Sequence, residues 1–70
     1  MSMRKNLKEA RQKAGMTQKQ VAEYLKISLT AYQNIEYGIM LGKIKHWDKL
    51  EDLFHINQRI LREIIHLPDK

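Results

Sequence analysis

The chain has 70 residues with no cysteine and one proline, and its 13 Lys/Arg and 8 Asp/Glu residues give a formal net charge of +5. This length allows one domain with a modest core, and the lack of cysteine excludes a disulfide framework and a thiolate zinc site. No apolar run approaches the roughly 20 residues that cross a bilayer, and the N-terminal stretch lacks the apolar segment of a signal peptide, so we expect a cytoplasmic protein.

The first predicted element is a helix over about residues 3–14. Leu7, Ala10 and Ala14 recur at helical spacing, so we expect these three side chains to face inward. Gly15 follows as the left-handed residue that ends the helix.

The segment from Thr17 to Gly38 is the most informative part of the chain, because it predicts two short helices joined by a tight turn. Thr17 followed by Gln20 forms a capping box, which predicts that a helix begins there. Ser28 is a second N-cap, and Gly38 ends the second of these helices. Helices joined so closely must cross steeply, as in the DNA-binding helix-turn-helix, whose second helix enters the major groove. The inward stripes of the two helices are Val21, Ala22 and Leu25, then Ala31, Tyr32 and Ile35.

Two further helices complete the prediction, and since no strand alternation is visible the expected fold class is all-α. A loop over residues 37–42 leads to a fourth helix over about residues 43–55. Asn57 is the predicted N-cap of a fifth helix, which should continue to Pro68. The apolar stripes of these helices are Ile44, Trp47, Leu50 and Phe54, then Ile60, Leu61, Ile64 and Ile65.

Basic charge is concentrated in the half of the chain that holds the two closely joined helices. Residues 1–45 carry nine Lys/Arg and three Asp/Glu, a net charge of +6, whereas residues 46–70 carry four and five, a net charge of −1. This distribution favours a polyanionic partner that contacts the first half.

These residues together resemble the phage Cro and CI repressor family, the xenobiotic-response-element class of bacterial transcriptional regulators. The resemblance covers about residues 4–66 and rests on a Thr-Gln pair that opens the second helix, an alanine five positions later, and Ile-Glu-x-Gly closing the third. The matching residues are Leu7, Arg11, Gly15, Met16, Thr17, Gln18, Val21, Ala22, Leu25, Ile27, Ser28, Ile35, Glu36 and Gly38.

The resemblance implies that residues 1–70 form a single five-helix, lambda-repressor-like domain without a cofactor. It further implies a homodimer on a double-stranded DNA operator, near the nucleoid of a bacterial or phage-infected host.

Three residues depart from the family pattern. Lys26 stands where the turn usually has glycine, Tyr32 replaces a small aliphatic residue and predicts a wider gap between the second and third helices, and Gly42 replaces a frequent proline and predicts a more mobile loop.

By resemblance, the base-facing positions of the third helix are Leu29, Thr30, Gln33 and Asn34. The amides of Gln33 and Asn34 suit the N6 and N7 atoms of adenine, and Thr30 suits a base edge or a thymine methyl. Leu29 offers only an apolar contact. The set predicts a half-site rich in A·T pairs, although a solvated polar face would use the same residue types.

A second set of residues is expected to contact DNA phosphates at the starts of helices two, three and four and at the end of helix three. Its members are Gln18, Ser28, Tyr37, Lys43 and Lys45.

The resemblance implies a structural clamp, formed by Arg11 and Glu36, that holds the third helix.

An apolar run lies between helices three and four and is longer than a solvated loop needs. It consists of Ile39, Met40 and Leu41. This run either folds back onto helix five or forms a twofold dimer contact.

Other chemistry is not predicted. His46, His55 and His66 lie 9 and 11 residues apart, unlike helical metal ligands, and no paired carboxylates or activated nucleophile is present. The sequence therefore predicts neither an enzyme nor a metal site, but a Cro-like repressor. The alternative is a protein-binding modulator, such as an antitoxin or antirepressor acting on a partner protein.

Overall fold

The computed structural model describes residues 2–66, which form five helices and a short pairing of two strands. This confirms the predicted all-α class. The terminal strands pair antiparallel, with Ser2 opposite His66 and Met3 opposite Ile65. The elements are β1 (Ser2–Met3), α1 (Lys5–Lys13), α2 (Gln18–Leu25), α3 (Leu29–Glu36), α4 (Ile44–Phe54), α5 (Gln58–Arg62) and β2 (Ile65–His66).

Three helices begin where their capping residues predict. The Thr17 hydroxyl accepts a hydrogen bond from the backbone N–H of Gln20, and the Gln20 side chain accepts one from the backbone of Thr17, which completes the capping box. Ser28 caps α3 by accepting from Ala31 N at 3.0 Å, and Asn57 caps α5. Each cap satisfies an N–H group that the first turn would otherwise leave without a partner.

The turn between α2 and α3 passes through a left-handed residue at Lys26, with φ 60° and ψ 42°. Since a side chain in this conformation is strained relative to glycine, the departure from the family pattern has an energetic consequence.

Replacing Lys26 with glycine should therefore stabilise the fold by about 1 kcal/mol. The free energy of backbone strain that is relieved should exceed the free energy by which the added flexibility of glycine favours the unfolded chain. Urea unfolding would measure the change. A matched control is Lys19→Gly, which places glycine in the first turn of α2 and should not stabilise the fold. A Lys26→Gly variant less stable than the wild type would contradict the expectation.

The last helix is shorter than the sequence predicts. α5 ends at Arg62, so Ile64 and Ile65 are not helical, and Ile65 belongs to β2. The predicted stop at Pro68 lies outside the described residues. The pairing of Ile65 with Met3 joins segments 62 residues apart in sequence and competes with continuation of the helix.

Three other stripe residues are exposed, contrary to expectation, and one of them is Ile60 on α5, which is 52 % exposed. Ala14 is the C-cap of α1 and is exposed. Ile44 is the first residue of α4 and is 74 % exposed, so it lies beyond the core although Trp47, three residues later, is buried. Ten of the apolar residues form one continuous core, and Phe54 is partly buried against it. The core residues are Leu7, Ala10, Val21, Ala22, Leu25, Tyr32, Ile35, Trp47, Leu50 and Leu61.

The packing places α2 against α3, and α5 against both α1 and α4. α1 also contacts α3, so α1 links the pair of helices α2 and α3 to α5. None of the helices in residues 2–66 combines the length and apolar character of a membrane span.

Candidate nucleic-acid interface

The central feature of the candidate interface is Glu36, a fully buried carboxylate at the end of α3. Its two oxygens accept hydrogen bonds from Arg11 Nε at 2.9 Å and Arg11 Nη2 at 3.1 Å. The guanidinium and the carboxylate therefore form a bidentate pair. The Tyr32 hydroxyl donates to the same carboxylate at 2.7 Å, and Gln18 Nε2 donates at 3.1 Å. Four donors from three helices thus converge on one side chain.

This network accounts for Tyr32, whose phenol is buried in place of a smaller residue. Burial and the hydrogen bond to Glu36 raise the pKa of the Tyr32 hydroxyl well above its ordinary value. The hydrogen bond to Glu36 likewise raises the pKa of Arg11. Tyr32 therefore remains a neutral donor and Arg11 a cation, which is the combination that a buried carboxylate requires.

Gln18 connects this buried network to the outer face of α3. Its Oε1 atom accepts a hydrogen bond from Gln33 Nε2 at 3.1 Å, while its own Nε2 lies 3.4 Å from the hydroxyl of Tyr37. The structure therefore brings together a predicted phosphate contact and a predicted base contact, a link that the sequence reading did not anticipate. One N–H and the carbonyl oxygen of Gln33 stay available for another partner.

The other predicted base contacts lie on the same helix. Leu29 and Thr30 are exposed in its first turn. Asn34 is half-buried, and its Nδ2 atom lies 4.0 Å from the sulfur of Met40. The face of α3 that carries these residues has no charged side chain, whereas its opposite face is buried through Tyr32 and Ile35.

The predicted phosphate contacts lie at helix ends. Gln18 and Ser28 stand at the starts of α2 and α3, and the Ser28 hydroxyl is engaged as a cap. Lys43 is the N-cap residue of α4 without a side-chain cap bond, and Lys45 is exposed in the first turn. Helix starts with free N–H groups and nearby cations are suited to bind anions.

His46 lies behind these lysines and adds no charge to the face at neutral pH. The imidazole is buried, and its Nδ1 atom has no hydrogen-bond partner among the described residues. Burial lowers the pKa of His46, and the neighbouring charges of Lys45, Lys43 and Lys49 lower it further.

The apolar run between α3 and α4 is exposed rather than folded back. The exposed fractions are 72 % for Ile39, 41 % for Met40 and 62 % for Leu41. Its backbone is nevertheless fixed, since the N–H groups of Ile39 and Met40 both donate to Asn34 O, at 2.8 and 3.0 Å. The indole N–H of Trp47 donates to Leu41 O at 2.8 Å.

Gly42 ends this run with φ +82°, a conformation that proline cannot adopt. A Cβ atom at Gly42 would lie 3.0 Å from Cδ1 of Ile35. Glycine therefore allows the loop to approach the back of α3 closely, which gives this departure from the family pattern a packing role.

Sequence reasoning missed Arg4, which is 3 % exposed and hydrogen-bonded to carbonyl groups at the end of α3. A single charged residue next to the N-terminus carries no local signal of burial, so only the tertiary arrangement identifies it.

A protein-family model described as helix-turn-helix matches residues 7–57, which include α2, α3 and most of the core. No curated protein and no solved structure matches the chain.

Proposed function

Because the chain belongs to the Cro/CI-type helix-turn-helix family of DNA-binding regulators, we propose that it is a Cro-like repressor that binds a palindromic operator as a dimer. The observation that carries this proposal is the uncharged polar face of α3, held in place by the network from Arg11 through Glu36 to Gln18 and Gln33. A rigid helix with one buried and one open polar face is suited to the major groove.

In this proposal α3 reads base edges through Leu29, Thr30, Gln33 and Asn34. The exposure of Leu29 and Thr30 supports contacts to thymine methyl groups. The Gln33 amide, oriented by its bond to Gln18, keeps one donor and one acceptor, which matches N6 and N7 of adenine. The expected half-site is therefore rich in A·T pairs.

A second set of residues would contact phosphates on both sides of the groove. Its members are Gln18, Ser28, Tyr37, Lys43 and Lys45. Lys43 and Lys45 contribute charge at the start of α4. Tyr37, a residue that is 44 % exposed, contributes its hydroxyl. Such contacts set the register of the protein on the duplex without reading sequence.

The exposed run Ile39–Met40–Leu41 would form the twofold dimer contact, in which each copy offers the same surface. A twofold dimer with α3 of each subunit in a major groove predicts two inverted half-sites about 34 Å apart, one helical turn. Such a site overlapping a promoter would exclude RNA polymerase, which favours repression over activation.

The deciding experiment is selection of bound duplexes from a random DNA pool, followed by sequencing. We expect an enriched inverted repeat with half-site centres about 10 base pairs apart. Enrichment of no sequence above the input pool would contradict sequence-specific binding, and enrichment of single half-sites would contradict the dimer.

Replacement of a reading residue and of a phosphate-contacting residue should have different signatures. Gln33→Ala should lose about 1–3 kcal/mol on the selected duplex and little on random DNA. Lys43→Ala should weaken binding to both and lower the slope of log affinity against log salt by about 1. Fluorescence anisotropy over a salt series measures both quantities, and equal losses on both duplexes for Gln33→Ala would refute its reading role.

A protein-binding modulator, such as an antitoxin or antirepressor, is a second candidate. The observation that favours it is the exposure of Ile39, Leu41 and Ile44, three apolar side chains on one loop and the adjoining helix start. Stoichiometric co-purification with a protein encoded by a neighbouring gene, together with failure to shift any selected duplex, would favour this candidate.

A further inference from the structure

Arg4 is the residue with the most concentrated set of long-range polar contacts outside the Glu36 network. Its guanidinium Nη1 donates to Ile35 O at 2.6 Å and to Met40 O at 2.7 Å, and its Nε donates to Arg62 O at 3.0 Å. The side chain thereby links three places: the end of α3, the loop before α4, and the end of α5. Its partners among the described residues are carbonyl oxygens rather than carboxylates.

The first consequence concerns the end of the reading helix. The last carbonyls of a helix lack internal partners and carry partial negative charge. In α3 the backbone N–H of Arg4 donates to Glu36 O at 2.8 Å, and the guanidinium donates to Ile35 O. Arg4 therefore caps α3 twice and places a cation at the negative end of the helix.

The second consequence concerns the loop that leads to α4. Met40 O is held by Arg4, and the next carbonyl, Leu41 O, is held by Trp47. The Arg4 guanidinium carbon also lies 5.3 Å from the centre of the Trp47 ring, within cation–π distance. Two neighbouring carbonyls are thus fixed by two side chains that contact each other.

The segment after these carbonyls is short. Only Gly42 separates Leu41 from Lys43, the N-cap of α4. The position of Met40 and Leu41 relative to α3 therefore sets where the first turn of α4, with Lys43 and Lys45, lies relative to the face of α3.

We propose that Arg4 is a positioning residue for DNA recognition, which fixes the distance between the base-reading face of α3 and the phosphate-contacting start of α4. This inference rests on the proposed DNA-binding function. Arg4 itself is buried, so it would act through the segments that it holds rather than by direct contact with DNA. Its effect is to make the two kinds of contact fit one duplex simultaneously.

The test compares Arg4→Met and Arg4→Lys with the wild type on the duplex selected from the random pool. All binding is measured at a temperature at which circular dichroism shows each variant fully folded. For Arg4→Met we expect affinity about tenfold weaker and a salt slope lower by about 1, because Lys43 and Lys45 no longer both reach phosphates. Arg4→Lys keeps the charge but has an ammonium group in place of the planar guanidinium. Its affinity and salt slope should therefore lie between those of the wild type and those of Arg4→Met.

Arg59→Met is the matched control, because Arg59 is exposed on α5 and its loss changes the net charge equally. Its affinity and salt slope should remain those of the wild type. A purely structural role for Arg4 would lower the melting temperature but leave the affinity and slope of the folded variant unchanged, and that result would overturn the proposal.

Amide exchange without DNA provides an independent readout. In Arg4→Met the N–H groups of Ile39 and Met40 should exchange about tenfold faster or more, while those of α2 remain protected. Unchanged exchange would overturn the proposal even if binding weakened. If the wild-type chain binds no DNA, the proposed function fails together with the role in recognition, whereas the exchange result still decides whether Arg4 holds the loop.

Discussion

Replacing Glu36 with alanine is expected to lower the free energy of unfolding by about 3–5 kcal/mol, the range for removing one partner of a buried ion pair. The substitution leaves the Arg11 guanidinium and the Tyr32 hydroxyl without their acceptor, and it also releases Gln18. In a domain of this size the melting temperature should fall by on the order of 20 °C. Thermal unfolding followed by circular dichroism measures this.

Glu9→Ala is the matched control, because the same substitution there removes an exposed carboxylate 3.9 Å from Lys5 Nζ. Its effect should stay within about 0.5 kcal/mol. Binding to the selected duplex, measured where both variants are folded, should weaken for Glu36→Ala only. Melting temperatures that agree for the two variants, with equal affinity, would show that Glu36 does not clamp α3.

Under the proposed twofold contact, Leu41→Asp should convert a dimer into a monomer. Binding to the selected duplex should then weaken by about 100-fold or more, since two linked contacts bind far more tightly than one. In a twofold contact each substitution is present twice, so two carboxylates would enter the same apolar interface. The leucine side chain is 62 % exposed, and its backbone bond to Trp47 does not depend on side-chain identity. The fold should therefore persist, and gel filtration with anisotropy measures the two effects.

Tyr24→Asp serves as the control for Leu41→Asp. Tyr24 is 40 % exposed on α2, so this variant changes charge equally and removes an exposed apolar side chain from another element. It should elute as the wild type does. A dimeric wild type whose elution is unaffected by Leu41→Asp would remove the apolar run from the interface.

The helix starts were predictable because their causes are local. The capping box at Thr17 and the cap at Ser28 depend on residues within one turn, and both occur as the sequence predicts. The left-handed residue at Lys26 lies where the family resemblance places a turn glycine.

Features that depend on distant partners were not predictable. The end of α5 is decided by the pairing of Ile65 with Met3, and the burial of Arg4 by carbonyls 31 to 58 residues away. Ile44 follows the apolar spacing of α4 but lies beyond the core, which periodicity alone does not reveal. The roles assigned to the reading and phosphate-contacting residues stay predictions, because they concern a partner rather than the fold.

The bond between Gln18 and Gln33 has a consequence for how this chain would acquire new specificity during evolution. The choice of residue at position 33 is coupled to position 18, because any residue placed there must also leave an acceptable hydrogen-bond partner for Gln18. We therefore expect natural relatives to change the two positions together. A specificity library that varies α3 alone would then miss viable combinations that a library varying both helices would recover.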